Sequence, residues 1–193
     1  MTPTRVEPEA VVVGASSGAV EALSALLPAL PADYPLPLIV VVHVPPHRSS
    51  LLSELFRSKC RVPVREAEDK EPIEPGTVYF APPDYHVLVE LDGRLSLSSD
   101  ELVAFSRPSI DVLFETAADA YGPSLIGVVL TGANADGANG LRAVLDAGVA
   151  IVQDPADAQS SEMPRAALGA CPEARALGLE QIAAYLMEVV KTS

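Results

Sequence analysis

Positive charge is in short supply in this sequence: 13 Lys and Arg stand against 26 Asp and Glu, a formal net charge of −13. Nucleic acids and anionic membranes repel such a chain, which argues against either as its main partner. Aromatic residues make up only 5% of the chain, so its core has to be built from Val, Leu, Ile and Ala. No apolar run approaches 18 residues, and a stretch such as Leu38 to Val42 has the length of a strand, so no membrane insertion is expected. The amino-terminal MTPTRVEPEA has no basic stretch followed by an apolar core, so it does not read as a secretion signal. Cys60 and Cys171 are too few for a disulfide framework and are not spaced as a metal or redox pair. Reduced thiols and a cytoplasmic location are the expectation. The sequence also lacks a spaced His/Cys set for zinc, a calcium loop and the Gly-Lys-Ser/Thr of a P-loop. No metal and no cofactor is expected.

What is present is a globular composition, 193 residues with 49% hydrophobic, enough for one sizeable α/β domain. Residues 1–9 read as a flexible leader and 10–190 as the domain. Strands are expected over Ala10–Val13, Leu38–Val42, Arg61–Ala67, Thr77–Ala81, Leu125–Leu130 and Val149–Val152. Helices are expected over Gly18–Leu27, Leu51–Ser58 (capped by Ser49 and Ser50), 137–147, Met163–Leu168 and Leu179–Val190, with another after Ser109. This alternation predicts a doubly wound, mainly parallel sheet flanked by helices. Asp92-Gly93 between two short apolar runs adds an antiparallel hairpin insert near residues 77–98.

The first strand ends in Gly14-Ala15-Ser16-Ser17-Gly18 and restarts at once as a helix. That is the sequence form of a nucleophile elbow, which exposes a serine at the carboxyl end of a strand. It is also the form of a phosphate-binding turn or a plain tight connection. Two further strand ends carry His43 and Asp136. Ligands of parallel sheets bind at those ends, and serine, imidazole and carboxylate are the groups that nucleophilic acyl transfer needs. Taken singly, Ser16 is equally a turn residue, His43 a hydrogen-bonded strand-end histidine, and Asp136 a helix cap. His47 and Arg48 either line a site or are solvated; His86 is structural or lies on the insert's surface. Arg107 and Asp111 have the spacing of a helical ion pair, and Glu66, Glu68, Asp69 and Glu71 that of a solvated turn. The glycine-rich turn also resembles the cofactor loop of short-chain dehydrogenases. However, none of Lys59, Lys70 and Lys191 lies four residues after a tyrosine, and His43 stands where a ribose-binding acid is expected.

The stretches GASSGAVEAL, VVHVPP, EAEDKEPIEPGTVYFAPPDYHVLV, RPSIDVLFETAA, GVVLTGANADGANGL and MPRAAL occur in order. Together they closely resemble the catalytic domain of bacterial chemotaxis protein-glutamate methylesterases, the CheB family, from about Ala10 to Val190. The resemblance implies a doubly wound α/β sheet with a catalytic triad falling on Ser16, His43 and Asp136. It implies hydrolysis of glutamate γ-methyl esters on chemoreceptor helices with release of methanol, deamidation of particular glutamines, and no cofactor. Backbone amides near Ser17 and Ala133 are the oxyanion candidates. Methylated receptor helices are the implied partner. The receiver domain typical of the family is absent from these residues, which leaves three readings: a fragment, a stand-alone esterase, or a chain whose regulator is a separate regulatory protein. This sequence departs from the pattern at Ser17-Gly18-Ala19 in place of Thr-Gly-Gly and at Ala133 in place of methionine. It departs again at Ser106 in place of histidine, and at Ser160-Ser161-Glu162 in place of an apolar stretch. A catalytically weak binding module and an esterase for another substrate are the competing readings.

Overall fold

The computed structural model describes residues 6–44 and 51–191. The expected caps Ser49 and Ser50, and the site candidates His47 and Arg48, lie outside the described residues.

In chain order the elements are β1 (Ala10–Ala15), α1 (Ala19–Leu26), β2 (Leu38–Val42), α2 (Leu52–Arg57), β3 (Val64–Glu66), β4 (Val78–Phe80), β5 (His86–Val89), β6 (Leu95–Ser98), α3 (Ile110–Tyr121), β7 (Leu125–Val129), α4 (Ala138–Ala147), β8 (Val149–Gln153), α5 (Glu162–Ala170), β9 (Arg175–Leu177) and α6 (Leu179–Lys191). Seven strands form one sheet in the order β3-β4-β2-β1-β7-β8-β9, and every pairing in it is parallel. The expected hairpin is β5 with β6, antiparallel and standing apart as its own two-stranded sheet. The strand at Val78–Phe80 belongs instead to the main parallel sheet.

β1 is apolar throughout because both its faces are covered. Val11 and Val13 pack into a layer with Leu23 and Leu26 of α1 and Ile182 and Leu186 of α6. Val12 faces the opposite layer, where Ile110 and Phe114 of α3, Leu141 of α4 and Val87 of the hairpin gather. Gly14 breaks the run because Ile110 lies against it, in the space a Cβ would need. α3 and α4 approach as closely at Gly140, where a Cβ would come within 2.9 Å of Asp111 Cα.

Chain order runs outward from β1 in both directions, to β2 and β4 on one side and to β7, β8 and β9 on the other. Connections leaving a central strand on opposite faces of the sheet open a crevice at its carboxyl end. Ser16, His43 and Asp136 all follow strands at this edge.

Candidate active site

Ser16 follows β1 directly. Its carbonyl accepts the Ala19 N–H at 3.0 Å, which closes a four-residue turn. Gly18 sits at the turn's third position with φ 83° and ψ 7°, the values of a type II turn that glycine adopts without steric cost. The turn is tied to the end of β7: Ser16 N–H donates to the Thr131 carbonyl at 2.9 Å, and Thr131 Oγ1 donates to the Ser17 carbonyl at 2.8 Å. Buried Gln153 supports Thr131 in turn, its Oε1 accepting the Thr131 N–H at 2.9 Å. The Ser16 hydroxyl has no hydrogen-bond partner among the described residues.

His43 is the first residue past β2. Its Nε2 donates to Asp136 Oδ2 at 2.7 Å, and its Nδ1 accepts from Asn134 Nδ2 at 3.1 Å. The orientation of the Asn134 amide follows from its own turn, because Asn134 Oδ1 accepts the Asp136 N–H at 3.1 Å. Its NH₂ group is thereby aimed at the imidazole. Both contacts specify one tautomer, with the proton on Nε2 and the accepting lone pair on Nδ1.

Asp136 is fully buried and accepts four hydrogen bonds. Oδ2 takes His43 Nε2 and the Ile110 N–H at 2.7 Å each; Oδ1 takes Ser109 Oγ at 2.8 Å and the Asp111 N–H at 3.1 Å. Burial pushes its carboxyl upward, but the bonds from His43 and the Ile110 and Asp111 amides outweigh it and hold the group below the ordinary carboxylate value. Asp136 is therefore a helix cap as well as a partner of His43, and the helix it caps is α3 rather than α4, which follows it in the chain.

The reverse contact comes from Asp111, in the first turn of α3. Its Oδ1 accepts the Gly137 and Gly140 N–H groups at 2.9 and 2.7 Å, so α3 caps α4 while Asp136 caps α3. The helical Arg107–Asp111 pair expected from spacing does not form. Arg107 lies ahead of α3, which starts at Ile110, so helical spacing does not apply to it, and its Nη2 donates to Asp84 Oδ1 at 2.7 Å. His86 is structural: its Nδ1 accepts the Ser109 N–H at 3.1 Å and its Nε2 donates to the Glu101 carbonyl at 2.9 Å.

Ser16, His43 and Asn134 line a cleft of about 360 Å³ together with Leu102, Phe105 and Arg107. A larger cavity of about 440 Å³, lined by Pro8, Ser124 and Arg175 among others, contains none of Ser16, His43 and Asp136, so size alone does not mark the candidate site. Ser17 and Ala133 are exposed beside the cleft, and their backbone N–H groups donate to no group among the described residues. Asn134, Ser109, Thr131, Asp111 and Gln153 were not singled out as site residues by sequence reasoning. Their roles depend on partners from 22 to 114 residues away, which spacing does not encode.

The CheB methylesterase family model matches residues 11–186. The chain belongs to that family. A Leptospira interrogans protein provisionally named protein-glutamate methylesterase/protein-glutamine glutaminase is 46% identical over 176 residues, 91% of each chain. A Geobacter metallireducens protein-glutamate methylesterase/protein-glutamine glutaminase is 37% identical over 183 residues, which is 93% of this chain and 51% of that one. The chain thus spans about half the length of some CheB relatives and nearly all of others. Among solved structures, the Thermotoga maritima CheB methylesterase catalytic domain superposes with a TM-score of 0.89 at 31% identity, covering 95% of this chain and all of that one.

Proposed function

We propose that this chain is a cytoplasmic serine hydrolase of bacterial chemotaxis that removes the methyl group from glutamate γ-methyl esters of chemoreceptors and deamidates glutamines at such sites. The observation that carries this reading is the 2.7 Å His43–Asp136 hydrogen bond beside a cleft lined by Ser16, in a chain of the CheB methylesterase family. An organised base–carboxylate pair at the serine elbow favours an enzyme over a binding module. No helix among the described residues is long and apolar enough to cross a membrane.

The Ser16 hydroxyl attacks the γ-carbonyl carbon while His43 Nδ1 takes its proton, because Nε2 is already committed to Asp136. The Asn134 amide gives way to the serine as the substrate seats. Hydrogen bonds of this kind tighten when the reacting complex forms. Negative charge collects on the carbonyl oxygen, where the N–H groups of Ser17 and Ala133 are the proposed donors. Methoxide leaves with the proton from Nδ1 as methanol, and the glutamyl carbonyl remains bonded to Ser16 Oγ. Water then attacks that ester. Its proton passes to Nδ1 and on to Ser16 Oγ, which restores the serine and releases the glutamate side chain. A glutamine follows the same route with ammonia as the leaving group. Asp136 stays ionised throughout and stabilises the imidazolium.

The test is methanol release from a methylated receptor cytoplasmic fragment, comparing the wild type with Ser16→Ala. Release should fall by about 10⁴-fold or more in the variant, whose far-ultraviolet circular dichroism stays unchanged. Release that persists would remove Ser16 as nucleophile; a folded wild type with no release would remove receptor esters as the substrate.

A further inference from the structure

Phe105 is 97% exposed, yet it stands at the lip of the cleft that Ser16 and His43 line. It is held there. Val103 and Ser106 exchange both backbone hydrogen bonds, at 3.1 and 2.9 Å, so Ala104 and Phe105 form the tip of a tight turn. Both tip residues have positive φ, 50° and 61°, a conformation that suits glycine or asparagine and strains a bulky side chain. The base of the segment is pinned. Arg107 Nε and Nη2 donate to Asp84 Oδ1 at 3.1 and 2.7 Å, and its Nη1 donates to the Ser99 and Asp100 carbonyls at 2.9 and 2.8 Å. Two residues further on, Ser109 and Ile110 donate to Asp136, which sets the tip's place relative to the catalytic carboxylate. Strained, over-determined backbone of this kind gathers at ligand clamps.

We infer that Phe105, with half-exposed Leu102 beside it, is the docking anchor for the protein substrate: it receives an apolar side chain of the segment that carries the methylated glutamate. This rests on the proposed function and names how the same site recognises a protein rather than a bare ester. Charge points to an apolar contact. The net charge of −13 repels an acidic polypeptide, and the Arg107 guanidinium is already engaged by Asp84 and two carbonyls. The methyl ester itself is neutral. What the lip of the cleft offers a flanking residue is the ring of Phe105.

The experiment measures kcat/KM on methylated receptor fragment and on p-nitrophenyl acetate for the wild type, Phe105→Asn and Phe105→Leu. Asparagine relieves the turn while removing the ring, and leucine keeps apolar bulk. The ratio of receptor to small-ester kcat/KM should fall about tenfold or more in Phe105→Asn, through a higher KM, and largely recover in Phe105→Leu. An unchanged ratio in Phe105→Asn, or kcat falling equally on both substrates, would overturn the anchor. So would a wild-type dimer that Phe105→Asn converts to monomer, since a second copy would then be the occupant. Wild-type protein that cleaves p-nitrophenyl acetate but releases no methanol from receptor fragment would instead overturn the proposed function, and the anchor with it.

Discussion

Asp136 presents two oxygens to four donors, and an amide has no way to serve them all. In Asp136→Asn the NH₂ group has to replace one oxygen. Placed toward Ser109 Oγ, which can rotate to accept it, it orphans the Asp111 N–H; placed toward His43, it orphans the Ile110 N–H and forces Nε2 to become the acceptor. The proton then sits on Nδ1, facing the Asn134 NH₂ group, and the base is lost. The expected result is a fall in kcat on methylated receptor fragment of about 10⁴-fold, with about 1–3 kcal/mol lost in denaturant unfolding from the orphaned amide. The acid limb follows from the same bonds. A carboxyl lowered on folding contributes stability that is complete above its unfolded value near 3.8 and is lost as the pH falls through the lower folded value. Wild type and Asp136→Asn should therefore converge in stability below that window, and a stability gap that persists in strong acid would contradict it. The positions of Ser16, His43 and Asp136 after three parallel strands were legible in the sequence, because strand ends are written in local pattern. Asn134 and Ser109 were not. Each acts through a residue brought near only by the fold.

Between α3 and α4 the caps are exchanged, and the exchange fixes where Asp136 lies. Asp111 holds two N–H groups of α4 from the first turn of α3, and Gly140 lets the two helices meet at backbone distance. Burial, with Asp136 nearby as a like charge, drives the Asp111 carboxyl above the ordinary value, against the pull of the Gly140 and Gly137 amides. An acid raised on folding binds its proton more tightly in the folded state. Its ionisation therefore costs stability as the pH rises from 3.8 through the raised value, and the cost remains above it. Asp111→Asn keeps an oxygen for the two amides and removes the charge, so stability at pH 7 should hold or rise. Asp111→Ala leaves both amides unanswered and should lose about 1–3 kcal/mol. Urea unfolding at pH 7 separates them; an equal loss in both would show that the negative charge, through the dipole of α4, is what holds the helix ends. The parallel strands at the centre were readable as apolar runs because they are covered on both faces. β9 was not: Arg175 and Ala176 are exposed at the sheet edge, where nothing selects an apolar pattern.

At the scale of the whole molecule, strand–helix alternation announced the parallel sheet, but the order of its strands came only with the structure. That order matters because it seats β1 between β2 and β7, which brings three strand ends onto one cleft. The same molecule carries a net charge of −13, with Asp84, Asp100 and Glu101 in or beside the segment bearing Phe105. A receptor segment that keeps unmethylated glutamates beside the ester approaches against that field, and each hydrolysed ester adds a carboxylate that the protein repels. Association is therefore opposed and product release is favoured by one long-range term. Salt removes it: the screening length shrinks from about 30 Å at 0.01 M to about 8 Å at 0.15 M. On methylated receptor fragment, kcat/KM should rise severalfold over that range, through KM, while the rate on neutral p-nitrophenyl acetate stays level. A receptor rate that falls with salt would mean that local cations attract the substrate and that net charge does not govern the encounter. Equal rises on both substrates would place the effect of salt on the catalytic groups themselves.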